Sequence, residues 1–108
     1  MSDCIFCKIA KKELPSDVVA ENEDILVFKD IHPKAPLHYL IIPKNHIESI
    51  RLDNSGEIIR GLIEMAKKIA ANQGVEGYRL LLNVGSWQIV PHMHLHFLAG
   101  GEESELKI

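Results

Sequence analysis

The chain is poor in the features that mark secreted, membrane-bound or polymer-binding proteins. Its 108 residues include only two cysteines, and in a reducing compartment such a pair serves more often as ligands or free thiols than as a disulfide. No apolar run approaches the roughly 20 residues that cross a bilayer, so no membrane partner is expected. Lys and Arg number 12 against 15 Asp and Glu, for a net charge of −3. These cations are dispersed and form no basic stripe for polymeric DNA or RNA. A single nucleotide remains within reach, because one phosphate needs only a few donors. The first ten residues lack the basic start, apolar stretch and small-residue cleavage site of a signal peptide, and a cytoplasmic protein is the expectation. Repeats, low-complexity stretches and linkers are absent, and the length fits one domain over 1–108.

Hydrophobic residues make up 46 % of the chain, enough for a core. A domain this small buries only about two-thirds of its unfolded surface, so a metal or a partner chain would help hold it. Six histidines are the compositional oddity.

Cys4 to Lys12 carries Ile5, Phe6 and Ile9 at helical spacing, with Pro15 to end a helix. Val18 to Ala20, Ile25 to Asp30 and Tyr39 to Ile42 read as strands, and Pro33, Pro36 and Pro43 mark the loop and the closing strand end. From about Asp53 to Asn72, Ile58, Leu62, Met65 and Ile69 recur at three- and four-residue steps. Asp53 or Ser55 would cap that long helix, and Gly74 suits its exit. Two more strands follow, near Tyr78 to Val84 and His92 to Leu98. Strands clustered around one long helix without regular β-α alternation indicate an α+β domain with an antiparallel sheet.

The most informative segment is Pro91-His92-Met93-His94-Leu95-His96-Phe97-Leu98. Alternation in a strand sends three imidazoles to one face and Met93, Leu95 and Phe97 to the core. Alternate residues stand roughly 6.5–7 Å apart, so the rings form a row about as long as a phosphodiester. Imidazole suits nucleotidyl transfer: its neutral nitrogen is nucleophilic near pH 7, its N–H groups donate to phosphate, and one nitrogen can be oriented while the other reacts. A solvated face that happens to hold histidines is the plain alternative. A metal site is the sharper one, since His-x-His is a common way to present two ligands; Glu102 follows, but the many regular strands of a cupin-type barrel do not. Cys4-x-x-Cys7 is half of a zinc site at most, or else two reduced, partly buried thiols.

The histidine row resembles the His-φ-His-φ-His-φ-φ signature of the histidine triad family, φ being apolar, and the chain is most similar to the zinc-containing bacterial type of its Hint branch. Phe28-Lys29-Asp30-Ile31-His32-Pro33 through His38 to Pro43-Lys44-Asn45-His46, and Cys4-Ile5-Phe6-Cys7-Lys8-Ile9, resemble further family segments in the same order. The resemblance implies a sheet of about five antiparallel strands with one long helix and a short N-terminal one. It also implies a homodimer that hydrolyses adenosine or guanosine 5′-phosphoramidates and related nucleoside monophosphate esters.

Carried over residue by residue, His94 is the nucleophile that becomes a nucleotidyl-histidine, and His96 donates to a phosphate oxygen. The carbonyl of His92 fixes the tautomer of His94, and His38 lies close behind the triad. Asp30 accepts from the ribose hydroxyls. Ile5, Phe6, Ile9, Phe28 and Ile31 form a slot for the purine of a ligand such as AMP, with ordinary core an equal alternative for Ile9 and Ile31. Asn83, Gln88 and the backbone N–H of Ile89 surround the phosphate. Cys4, Cys7, His46 and His92 bind a structural zinc.

Two features depart from the family pattern. Ile89 stands where a polar residue, often Ser, is usual, and the Asn83-Val84-Gly85-Ser86-Trp87-Gln88 segment is shortened and carries Trp87. Both bear on leaving group and rate. A nucleotide-binding regulatory module with vestigial catalysis and a dinucleoside polyphosphate hydrolase therefore stay open as alternatives. The short, acidic tail from Gly101 to Ile108 leaves its own role open.

Overall fold

The computed structural model describes residues 4–51 and 55–101. Asp53, Glu102 and the rest of the acidic tail lie outside the described residues. The elements run α1 (Ile5–Ala10), β1 (Val18–Glu21), β2 (Ile25–Lys29), β3 (Leu37–Pro43), α2 (Gly56–Gln73), β4 (Tyr78–Leu82), a single 3-10 turn (Gly85–Trp87) and β5 (Leu95–Ala99). The five strands form one antiparallel sheet in the order β1-β2-β3-β5-β4. This is the expected α+β architecture. Among the described residues no helix is long and apolar enough to cross a membrane.

Period-two alternation divides the sheet into two faces. Val27, Ile41, Leu95 and Phe97 pack with Leu62, Met65, Ala66 and Ile69 of α2 in the larger core. On the other face Leu26, Phe28, Leu40 and Ile42 pack with Phe6, Cys7 and Ile9 of α1. The long helix thus packs along one face, over β3 and β5, whereas the six-residue α1 covers only part of the other. That uncovered part holds the site.

Three element ends differ from expectation. Helix α1 stops at Ala10, well before Pro15, because Lys12 adopts a left-handed conformation with φ of 65°. The N–H groups of Lys12 and Glu13 then return to the carbonyls of Ile9 and Lys8 at 3.0 and 2.8 Å, a helix-closing pattern normally given to glycine. Helix α2 begins at Gly56, and Ser55 sits at its cap position without a capping bond, since its hydroxyl donates to the Ile50 carbonyl instead. Gly74 closes α2 at φ of 66°, as expected. Strand β5 starts only at Leu95. Before it, the N–H of Met93 is held by the Ile47 carbonyl at 2.6 Å rather than by the sheet. The alternation nevertheless persists, with Met93 in the α2-side core.

Candidate active site

Two clusters of histidines lie on the α1 side of the sheet, joined through His92. In the first, Cys4 caps the start of α1, its sulfur accepting the Cys7 N–H at 3.4 Å. The helical spacing brings both sulfurs to the buried ring of His92, with Nδ1 3.3 Å from Cys4 Sγ and 3.6 Å from Cys7 Sγ. His46 Nδ1 is 3.3 Å from Cys7 Sγ. All four ligand atoms lie within 4.8 Å of one another. Zn–S near 2.3 Å and Zn–N near 2.0–2.1 Å imply sulfur–nitrogen edges of about 3.6 Å in a tetrahedron, and the observed separations fit. His92 Nε2 is 2.8 Å from the Pro43 carbonyl. A carbonyl only accepts, so the proton is on Nε2 and the lone pair of Nδ1 faces the sulfurs, as a metal ligand requires. Burial holds the His92 pKa below its usual range, against the Pro43 bond, which raises it, and burial pushes the Cys7 thiol up. A cation is what would hold both thiols as thiolates.

The second cluster lines a cavity of about 830 Å³. Strand register sets its floor. Phe28, Leu40, His96 and Leu81 lie in one row across β2, β3, β5 and β4. Leu82 and Leu95 are the last pair of β4 and β5, and Asn83 and His94, the residues just past them, both line the cavity. Helix α1 roofs the β2 end, Phe6 meeting Phe28 and His94 edge-on at ring distances of 5.7 and 5.1 Å. Ile5, Phe6, Ile9, Phe28, Asp30, Ile31, His38, Asn83, Ile89, His94 and His96 all line the cavity. Phe6, Ile9 and Phe28 are also buried core residues, whereas Ile31 is 85 % exposed. The structure does not bring Gln88 there. Its amide is committed to backbone groups, accepting the Gly85 N–H at 3.0 Å and donating to the Glu48 and Val90 carbonyls at 2.8 and 3.2 Å. It lines a separate, more polar hollow with Ser49 and Arg51.

A family model described as "Scavenger mRNA decapping enzyme C-term binding" matches residues 3–107. A 14 kDa zinc-binding protein of Zea mays is 45 % identical over 106 residues, covering 92 % of this chain and 83 % of that protein. A HIT family hydrolase from Legionella pneumophila superposes with a TM-score of 0.86 at 47 % identity, over 93 % of this chain and 95 % of its own. A histidine triad protein from Clostridium difficile gives 0.90 at 41 %, over 94 % of each chain. The chain belongs to the histidine triad family.

Within this histidine triad fold, backbone groups determine which nitrogen of each ring carries the proton. His94 Nδ1 is 2.7 Å from the His92 carbonyl, so Nδ1 donates and Nε2 keeps its lone pair. The Lys34 N–H donates to His38 Nδ1 at 2.9 Å, which leaves the proton of His38 on Nε2. That proton is directed at His96 Nδ1, also 2.9 Å away, and His96 therefore carries its own on Nε2. Burial, followed by His94 and His38, pulls the His96 pKa from 6.5 to about 4. Burial likewise lowers that of His38, although Asp30 raises it, and the contact between Asp30 Oδ2 and His38 Nε2 is correspondingly long at 3.4 Å. The rings of both His38 and His96 are neutral near pH 7 and still donate.

The three triad imidazoles do not form one ligand cluster among the described residues, because each ring has a different partner. Asp30, His38 and His96 do lie together, but the hydrogen bond between the two rings already accounts for their closeness. Sequence reasoning missed Arg79 and Leu81, which line the cavity from β4. Counting back from Asn83 in steps of two would have found both. It also missed the Lys34 N–H, for which no side-chain pattern exists.

Proposed function

We propose that this protein hydrolyses purine nucleoside 5′-phosphoramidates and related nucleoside monophosphate esters through a covalent intermediate on His94. One observation carries the reading: the unprotonated nitrogen of His94 belongs to a ring lining a large cavity, and its tautomer is held by a backbone carbonyl that can neither titrate nor swing away. The similarity to the HIT family hydrolase from Legionella pneumophila supports the same class.

The base lies among Ile5, Phe6, Ile9, Phe28 and Ile31, and the ribose hydroxyls donate to Asp30. His96 Nε2–H and Asn83 hold non-bridging oxygens of the phosphate, with the Ile89 N–H close by. In the first half-reaction the lone pair of His94 Nε2 forms a bond to phosphorus. The P–N bond breaks, and its electron pair leaves with the amine nitrogen, which has taken one proton from solvent. Water then attacks the phosphorus, the P–Nε2 pair returns to His94, and the attacking water gives one proton back to solvent. Two neutral donors and a preset nucleophile need no rearrangement as charge develops. His38 is a positioning residue that holds His96 in its donating tautomer. Gln88 braces the loop before the triad.

Cys4, Cys7, His46 and His92 would hold zinc, which supplies a fixed cross-link between α1 and the segment before β5. The zinc-binding name of the Zea mays relative supports this set. The reading extends to a cytoplasmic homodimer, supported by the free thiols and by β4, an edge strand on which Tyr78 and Leu81 are exposed. The rival is a nucleotide-binding module with vestigial catalysis, favoured by the apolar Ile89 at the cavity. Steady-state turnover of a fluorogenic adenosine phosphoramidate separates the two. His94→Ala is expected to lower kcat by about 10³-fold or more while calorimetry still detects AMP binding. Undiminished turnover in that variant would overturn the proposal, and AMP binding without turnover in the wild-type protein would favour the rival.

A further inference from the structure

Cys4 and Cys7 are the only cysteines of the chain, and both are free and buried. They stand one helical turn apart at the start of α1, where Cα atoms three residues apart are about 5 Å from each other, within the span of a disulfide. Their sulfurs lie within 4.8 Å of each other and of the His46 and His92 nitrogens. The cluster is not sealed, because His46, whose Nδ1 is 3.3 Å from Cys7 Sγ, is an exposed residue. A disulfide draws two sulfurs to about 2.05 Å and removes both thiolates, the form that binds metal. The same four residues therefore hold either a bridge or a tetrahedral ion.

Both cysteines belong to the start of α1, whereas the two histidines lie after β3 and before β5. Oxidation of the pair removes every metal bond that α1 has. The helix is then held by its apolar packing on Leu26, Phe28, Leu40 and Ile42 alone. Between the cysteines, Ile5 and Phe6 both line the nucleotide cavity. Phe6 meets the rings of His92 and His94 edge-on at 5.8 and 5.1 Å.

The geometry points to a redox-controlled roof: a hydroperoxide oxidises Cys4 and Cys7 to a disulfide, zinc is released, and α1 loosens over the nucleotide cavity. The inference rests on the zinc and nucleotide readings above. One thiolate attacks a peroxide oxygen, the O–O bond breaks, and its electron pair leaves with the other oxygen. The attacked oxygen stays on sulfur as a sulfenic acid. The second thiolate attacks that sulfur, the S–S bond forms, and hydroxide leaves. Solvent supplies one proton to each departing oxygen. Both thiolates are oxidised, the peroxide is reduced to water or to water and an alcohol, and the metal departs as its dication. A thiol reductant reverses the bridge.

The test treats zinc-loaded protein with hydrogen peroxide. Released metal is followed with a chromophoric chelator, the bridge by intact mass, and AMP affinity by calorimetry. One zinc is expected to leave per disulfide formed. The Kd for AMP should rise about 10-fold or more, the value for a helix docked in about a tenth of the molecules. Thiol reductant and zinc together should restore both. Cys4→Asp keeps a helix cap and a metal-ligating carboxylate but cannot form the bridge, and it should retain zinc and AMP through the same treatment. If that variant takes up no zinc, the wild-type reversal decides alone. Zinc retained with both thiols reduced overturns the inference, as does oxidation past the sulfenic acid with no recovery on reduction. A bridged, zinc-free protein that binds AMP as tightly as before refutes the coupling to the cavity. Reduced, zinc-loaded protein that binds no AMP refutes the nucleotide reading instead, while metal release and mass still decide whether the bridge forms.

Discussion

Lowering the pH from 7.5 to 5 is expected to destabilise the protein chiefly through His96. Its ring is neutral when folded, because burial and then His94 and His38 bring its pKa from 6.5 to about 4. The unfolded chain lacks those neighbours and titrates near 6.5. Between these values the unfolded state binds a proton that the folded state refuses. Stability is therefore complete above about pH 7 and is lost as the pH falls through 6.5 toward 4. Linkage gives a loss on the order of 2 kcal/mol at pH 5 and about 3 kcal/mol at pH 4 from this group. His38 is shifted in the same direction by burial, and it steepens the decline. For a chain of this length, 2 kcal/mol corresponds to about 10 °C in Tm. The assay is thermal unfolding followed by circular dichroism at fixed ionic strength, on wild type and His96→Asn across the pH range. Comparing slopes rather than absolute Tm values cancels the cost of the broken His38 contact and the shared titration of other groups. The variant is expected to lose about 10 °C less than wild type between pH 7.5 and 5. Parallel slopes would show that His96 takes up its proton as easily in the folded state as in the unfolded one, and the neutral-donor reading would fail.

Chelation should separate a zinc site from a pair of buried thiols. Purified protein is expected to carry one zinc per chain by metal analysis, and its removal to lower stability by about 3 kcal/mol or more; Cys7→Ser should abolish the metal, and an unchanged Tm with chelator would refute the site. Lys12→Gly removes a side chain from a left-handed position at φ of 65° and should raise stability by about 0.5–1 kcal/mol, read as a higher urea midpoint. The variant also gives up the exposed ion pair from Lys12 to Glu21 at 2.9 Å, so a lower midpoint would mean that this pair outweighs the backbone strain.

Much of the fold was legible because it follows from periodicity. Leu62, Met65 and Ile69 on α2, Leu95 and Phe97 on β5, and Met93 just before it lie in one core because steps of 3.6 and of two put them on facing surfaces. The ends were less legible. Alternation continues through His92 and Met93 although no strand ladder does, because the carbonyl of Ile47, far away in sequence, takes the Met93 N–H. Gln88 escaped sequence reasoning for a related reason. Gly85 enters a left-handed conformation at φ of 64° and opens a 3-10 turn, and inside such a turn neither a two-residue nor a 3.6-residue period says where a side chain points. The bond between His38 and His96 depends on the pairing of β3 with β5, which local sequence does not encode.

Alternation explains why three imidazoles share a face, but not why they differ in their chemistry. That difference comes from the main chain. The Pro43 carbonyl leaves His92 with its lone pair on the sulfurs, the His92 carbonyl leaves His94 with its lone pair at the cavity, and the Lys34 N–H, acting through His38, leaves His96 with a proton there. Backbone groups do not titrate, and they move only when their segments move. The assignment of acceptor and donor is thus as rigid as the fold around it. His92 is the joint of the arrangement, since its ring belongs to the cysteine cluster while its carbonyl sets the proposed nucleophile one alternation further on. Anchoring that ring to α1 would immobilise the peptide unit that His94 leans on. On this reading a metal with no part in the chemistry still reaches the reacting nitrogen, through one side chain and one 2.7 Å hydrogen bond.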